Sequence, residues 1–177
     1  MRADFIIPEC YIDTNLIETL AGIDGCNHQK GCNQVAKVMM EKFADRFAVG
    51  VIDADKRRPG YLAEFCEIAA SEHIKLFRHK SRPHFIILIH PAADGFILAC
   101  AGVACLNMAD YGLSSELKDF TCQTKSVMSS KDVRFKQLFK AMDEGGEMKL
   151  LKSLINYLIR NTYGIREEDV TGLFDRY

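Results

Sequence analysis

The sequence predicts an α/β fold, a mainly parallel sheet flanked by helices with a helical second half. Three observations predict it. Uncharged, β-branched runs such as residues 47–52 (FAVGVI) and 85–89 (FIILI) read as buried strands. Between the strand-like runs before residue 92 lie segments whose apolar residues recur at helical spacing, and strands alternating with helices build a parallel sheet covered by helices. From residue 92 onward only the helical period recurs.

Taken in order, residues 4–8 (DFIIP) form a short buried strand, because no charge interrupts Phe5, Ile6 and Ile7. Asp13 and Thr14 offer N-cap oxygens to a helix running to Ala21, with Leu16, Ile17 and Leu20 on one face and Gly22 and Gly25 ending it. Residues 26–29 are expected to be a short strand before the turn at Lys30-Gly31. Residues 33–43 place Val35, Val38, Met39 and Phe43 at helical spacing. The strand 47–52 stops abruptly at Asp53-Ala54-Asp55, and residues 56–60 (KRRPG) make a basic turn. Residues 61–70 read as a helix and 75–77 as a strand, with Pro83 separating it from the strand 85–89. Residues 92–104 are an apolar helix of small residues, expected to be buried. Further helices are expected at 115–123, 131–142, 146–162 and 167–174, with Glu144-Gly145-Gly146 as a break. The expected organisation is an α/β core over residues 1–92 and a helical extension over 93–177 packed on it as one unit.

Composition narrows the function classes. Apolar residues are 48% and charged residues 27%, which excludes a disordered chain. With 23 basic and 24 acidic side chains the net charge is −1, so overall charge does not drive nucleic-acid binding. Any phosphate contact must come from a local patch or a bound metal. Seven cysteines, an odd number with no C-x-x-C pair, read as reduced thiols of a cytoplasmic protein. Cys26, His28 and Cys32 lack the second pair that structural zinc needs. The opening MRADFIIPEC has no apolar core or cleavage site of a signal peptide, and the run 85–89 is far too short to span a bilayer, so no membrane partner is expected.

In a parallel α/β sheet, ligands gather beyond the carboxyl ends of the strands. Glu9 follows the first strand, and Asp53 and Asp55 follow the central one. In an extended segment the i and i+2 side chains share a face, so both aspartates can point the same way. Three crowded carboxylates repel unless a cation joins them, and an all-oxygen set suits Mg²⁺ or Mn²⁺ over zinc. Asp-x-Asp after a strand is also a common turn or cap; the ordered pattern with Glu9 is what favours a metal. Asp13 either assists this site or caps the first helix, and Asp94 either caps the helix after His90-Pro91 or supplies a fourth acid. Lys56, Arg57 and Arg58 either hold a phosphate backbone beside the metal or form a solvated turn. The stretch 75–84 (KLFRHKSRPH), with Arg78, His79, Lys80 and Arg82, either lines the same groove or is an exposed hairpin. His28 and His73 read as surface or packing residues.

The pattern resembles the Toprim domain of topoisomerases, primases, recombination proteins and the overcoming-lysogenization-defect nucleases. Glu9-Cys10-Tyr11-Ile12-Asp13 keeps the family's E-G-x-x-D spacing with cysteine in place of glycine, and residues 49–56 (VGVIDADK) match the Asp-x-Asp motif. Lys30-Gly31 resembles the glycine turn that ends the family's second strand. The resemblance covers residues up to the strand 85–89 and implies a Mg²⁺-dependent nuclease acting on DNA or RNA. It implies metal ligation by Asp53 and Asp55, with Glu9 as general base or further ligand. It also implies a separate ATPase partner, and a homo-oligomer is compatible with it. Two other readings stand beside it: a non-catalytic Toprim-like regulatory subunit, and a receiver-like phospho-acceptor domain, whose acids usually follow the reverse order.

Overall fold

Five strands form one sheet in the computed structural model, which describes residues 3–54 and 60–176. They are β1 (Ile6–Pro8), β2 (Ala48–Asp53), β3 (Phe65–Ala70), β4 (Ile74–His79) and β5 (His84–Ile89), in the order β1-β2-β5-β4-β3. The α/β class holds, but the sheet is mixed. β1 pairs with β2 and β2 with β5 in parallel, whereas β5–β4 and β4–β3 are antiparallel. The expectation of a mainly parallel sheet is corrected by loop length. Residues 71–73 and 80–83 are hairpin connections, too short for the crossover that parallel neighbours require.

Both faces of the sheet are covered, which is why its central strands carry no charge before Asp53 and His84 at their ends. Side chains alternate between two cores. Ile6, Val49, Val51, Phe85, Ile87 and Ile89 share one with helices α1 (Tyr11–Ala21), α3 (Ala93–Val103), α5 (Val133–Met142), α6 (Gly146–Asn161) and α7 (Glu167–Phe174). Ile7, Ala48, Ile52, Ile86 and Leu88 share the other with α2 (Cys32–Val38), the π-helical turn Met39–Phe43 that continues it, and Tyr61 and Phe65. Gly50 sets the spacing of that second layer. A Cβ there would lie 3.0 Å from both Met39 Sδ and Val35 Cγ1, so only a bare backbone lets α2 approach this closely.

The second half of the chain fills the first core. Phe135, Leu138 and Phe139 of α5 and Leu150, Leu151 and Leu154 of α6 pack with Leu16 and Ile17 of α1. The fully buried Asn15 amide of α1 donates to the carbonyls of Ser129 (2.6 Å) and Asp132 (3.1 Å), tying α1 to the segment that leads into α5. α4 (Leu117–Thr124) joins this layer through Phe120.

Two further expectations are corrected. Residues 61–70 are not one helix but a 3₁₀ turn, Gly60–Glu64, followed by β3. Leu, Ala and Glu favour helix there, and the hydrogen-bond ladder with β4 overrides that preference. β3 is the sheet edge, broken by a bulge between Glu67 and Ala69 and carrying charge, as edge strands must to avoid pairing with other chains. α3 buries Ala93, Phe96, Ile97 and Ala101 but leaves Val103 78% exposed, so it is buried on one face only. Among the described residues, no helix is long and apolar enough to cross a membrane.

Candidate functional site

β1 and β2 end side by side, and the residues that follow them converge. Glu9 N–H donates to Val51 O (3.0 Å), extending the ladder one step past β1. Asp53 N–H donates to Glu9 Oε2 (3.3 Å), so the Glu9 carboxylate lies over the end of β2. Asp53 Oδ1 accepts from the Ala93 N–H (2.9 Å), the first residue of α3. Ala54 N–H reaches Ile89 O (2.9 Å), keeping the end of β2 against the end of β5. Glu9 is 1% exposed and Asp53 9%, so two acids lie beneath the surface at the carboxyl edge of the parallel strands.

Asp13 and Cys10 belong to the same cluster. α1 starts at Tyr11 with Cys10 as its extended N-cap residue, so the expected capping role of Asp13 and Thr14 is corrected: both lie within the helix, Asp13 in its first turn. Thr14 Oγ1 donates instead to Cys10 O (2.9 Å). Asp13 is 1% exposed. Burial, then the nearby charge of Asp13 and more weakly of Asp53, pushes the Cys10 thiol far above its ordinary range, so it stays protonated. Beside β1, residues 27–31 run extended. The N–H groups of Asn27, Gln29 and Gly31 donate to Ile6 O (2.8 Å), Pro8 O (2.9 Å) and Glu9 O (3.0 Å). The expected strand at 26–29 is corrected: no strand forms there, only a segment hydrogen-bonded along β1 and ending at Gly31 with φ 91°, a conformation glycine favours. His28 stacks on Tyr11 and its Nδ1 pairs with Thr14 Oγ1 (3.2 Å), a packing role.

The remaining expected site residues fare differently. Asp55, Lys56, Arg57 and Arg58 lie outside the described residues. Asp94 is in the first turn of α3, half-buried, while Ala92 is the N-cap residue and Asp53 takes the Ala93 N–H. The capping role expected of Asp94 therefore falls to Asp53. Arg78, Lys80 and Arg82 lie at the opposite edge of the sheet. They border the β4–β5 hairpin at the start of β5, whereas Asp53 sits beside its last residue, Ile89. Five strand steps separate these ends, about 17 Å. A groove shared with the acids is thereby corrected: the stretch is a hairpin on the far side, where Arg78 pairs with Glu167 (3.0 Å) and Lys80 Nζ donates to Ala63 O (3.3 Å). These three basic residues line an open cavity of about 570 Å³ with Asp45, Tyr163 and Glu167.

One constellation was invisible to sequence reasoning. His73 and Glu72, in the β3–β4 turn, meet Glu147 in the first turn of α6. Their ligand atoms all lie within 4.8 Å of one another, the one such three-residue set of metal-ligating side chains among the described residues. The separation of 74 positions between His73 and Glu147 left no local signal to read.

Fold and site together define an α/β protein with a mixed five-stranded sheet, both faces covered, and buried carboxylates where two parallel strands end. Comparison with family models, with curated proteins and with solved structures finds no match for this chain.

Proposed function

We propose that the protein carries out Mg²⁺- or Mn²⁺-dependent phosphodiester chemistry on DNA or RNA, as a Toprim-like nuclease. The observation that carries this reading is the contact of Asp53 N–H with Glu9 Oε2 at the ends of neighbouring parallel strands. An acid after the first strand and an acid after the central strand stand together, with an extended segment and its glycine turn on the far side of β1, as the resemblance expects. The donor set fits a hard divalent ion: Glu9, Asp53 and the nearby Asp13 offer oxygen only. Glu9 and Asp53 hold the ion, with Asp55, two positions later in sequence, as the third expected ligand. The Ala93 N–H fixes the orientation of the Asp53 carboxylate, an outer contact of the kind that orients metal ligands. Where Glu9 is not a ligand it is the general base, the alternative role that the resemblance implies. When bound, the ion supplies charge stabilisation at a phosphoryl oxygen.

A second reading, a non-catalytic Toprim-like subunit that serves an ATPase partner, is favoured by one specific observation. Asp53 already has a structural task at the start of α3, and Cys10 fills the position of the expected glycine.

Asp53→Asn separates the two, because asparagine keeps an oxygen for the Ala93 N–H. In the enzyme reading, Mg²⁺- or Mn²⁺-dependent nicking of DNA or RNA disappears while thermal stability is retained. Nicking unchanged in this variant overturns the mechanism. Absence of Mg²⁺ binding at millimolar concentration by calorimetry, with a stable ATPase complex, establishes the second reading.

A further inference from the structure

We propose a second cation site, for a borderline divalent ion of the Zn²⁺ class, formed by Glu72, His73 and Glu147. The argument begins with the backbone. The turn that carries Glu72 and His73 is held at both ends: His90 N–H donates to His73 O (2.8 Å), and Ser71 N–H donates to Ile74 O (2.8 Å). Glu147 is brought to it by α6, and its Oε1 accepts the His73 backbone N–H (3.0 Å) while its Oε2 contacts His73 Nδ1 directly. The imidazole and one carboxylate are therefore already oriented, and Glu72 places a second carboxylate within the same 4.8 Å.

A simple ion pair needs two groups. The third ligand atom and the adjoining space are what a cation requires beyond that. The space is present: a cavity of about 240 Å³ adjoins the three ligands, walled by Ala99, Cys100 and Val103 of α3 and by Met142 and Gly145. It leaves room for the fourth position of a tetrahedral ion, filled by water. Two carboxylates outweigh the partial positive charge at the start of α6, so the point is net negative. One nitrogen donor with two oxygens suits Zn²⁺, whereas Mg²⁺ prefers oxygen alone.

The site is distinct from the Glu9–Asp53 group. Asp53 and Ile74 flank Ile89 from opposite sides in the sheet, which places their backbones about 10 Å apart. The ligand atoms that lie within 4.8 Å of one another come from Glu72, His73 and Glu147, and neither Glu9 nor Asp53 is among them. The inference therefore stands whether or not the proposed nuclease reading does.

The test is a ZnCl₂ titration by calorimetry, with thermal melting, on the whole chain. Glu72 is exposed, so Glu72→Gln keeps the fold. The expected result is one Zn²⁺ per chain, an affinity at least tenfold weaker in Glu72→Gln, and no binding in His73→Gln. Failure of the parent protein to bind Zn²⁺ stoichiometrically overturns the proposal. So does binding that survives both substitutions but is lost when the cysteines are alkylated, since that assigns the ion to thiols.

Discussion

The two edges of the sheet hold their buried polar side chains in different ways. At the hairpin edge, the buried histidines pair with other side chains. His84 donates from Nε2 to Arg46 O (3.1 Å), which leaves Nδ1 to accept from the Tyr61 hydroxyl (2.6 Å). His79 pairs through Nε2 with Glu64 (3.1 Å) and accepts at Nδ1 from the N–H groups of Ser81 (3.1 Å) and Arg82 (3.0 Å). At the other edge, the buried acids meet backbone instead: Glu9 Oε2 accepts from the Asp53 N–H and Asp53 Oδ1 from the Ala93 N–H. Complementary groups that satisfy one another are what structure alone needs. The proposed site lies at the carboxyl edge, where its acids face the end of β2 and the start of α3.

The contrast is broken most severely at Asp53. Loss of metal-dependent nicking in Asp53→Asn, with folding intact, makes this edge catalytic. Next in size is Tyr61→Phe at the opposite edge. It leaves His84 Nδ1 buried without a donor and costs about 1–3 kcal/mol in a urea melt. A cost near zero would mean that the hairpin edge does not depend on the pairing of Tyr61 with His84, and the contrast fails.

A pH series sharpens it further. Burial pushes His84 down from the ordinary 6.5 to about 4. Its folded value is depressed, so the stability it contributes is complete above pH 6.5 and is lost as the pH falls toward 4. The fall in urea midpoint across that window is expected to shrink in His84→Gln. The smallest effect belongs to Arg78→Ala. Its pairing with Glu167 is solvent-exposed, so the cost stays below about 1 kcal/mol, and nicking is unchanged because the site lies at the other end of β5.

Much of the fold was legible because period and burial agree. β2 and β5 are apolar along nearly all their length, and α6 repeats its leucines at helical spacing. β3 was hidden because Leu62, Ala63, Glu64, Glu67, Ala69 and Ala70 give the segment a helical composition, and only pairing with β4 decides otherwise. The direction of β4 could not come from side-chain alternation, which is the same for a strand read either way. Only the shortness of the loops 71–73 and 80–83 carried it. At the site, Glu9 and Asp53 were legible from their places after strands. The task of Asp53 at α3 depends on where residue 93 returns in space, and the meeting of His73 with Glu147 depends on α6, so neither leaves a mark in local sequence.

The Asn15 amide carries a lesson about dividing this chain. Its two acceptors come from residues more than a hundred positions away, and the apolar side of α1 rests on helices from the same distant stretch. A fragment cut after residue 92 would keep both acids of β1 and β2 yet lose α3, α5, α6 and α7 from one side of the sheet, leaving α1 alone there. Such a piece would expose the apolar residues that those helices cover. For an engineer, the halves are a single inheritance.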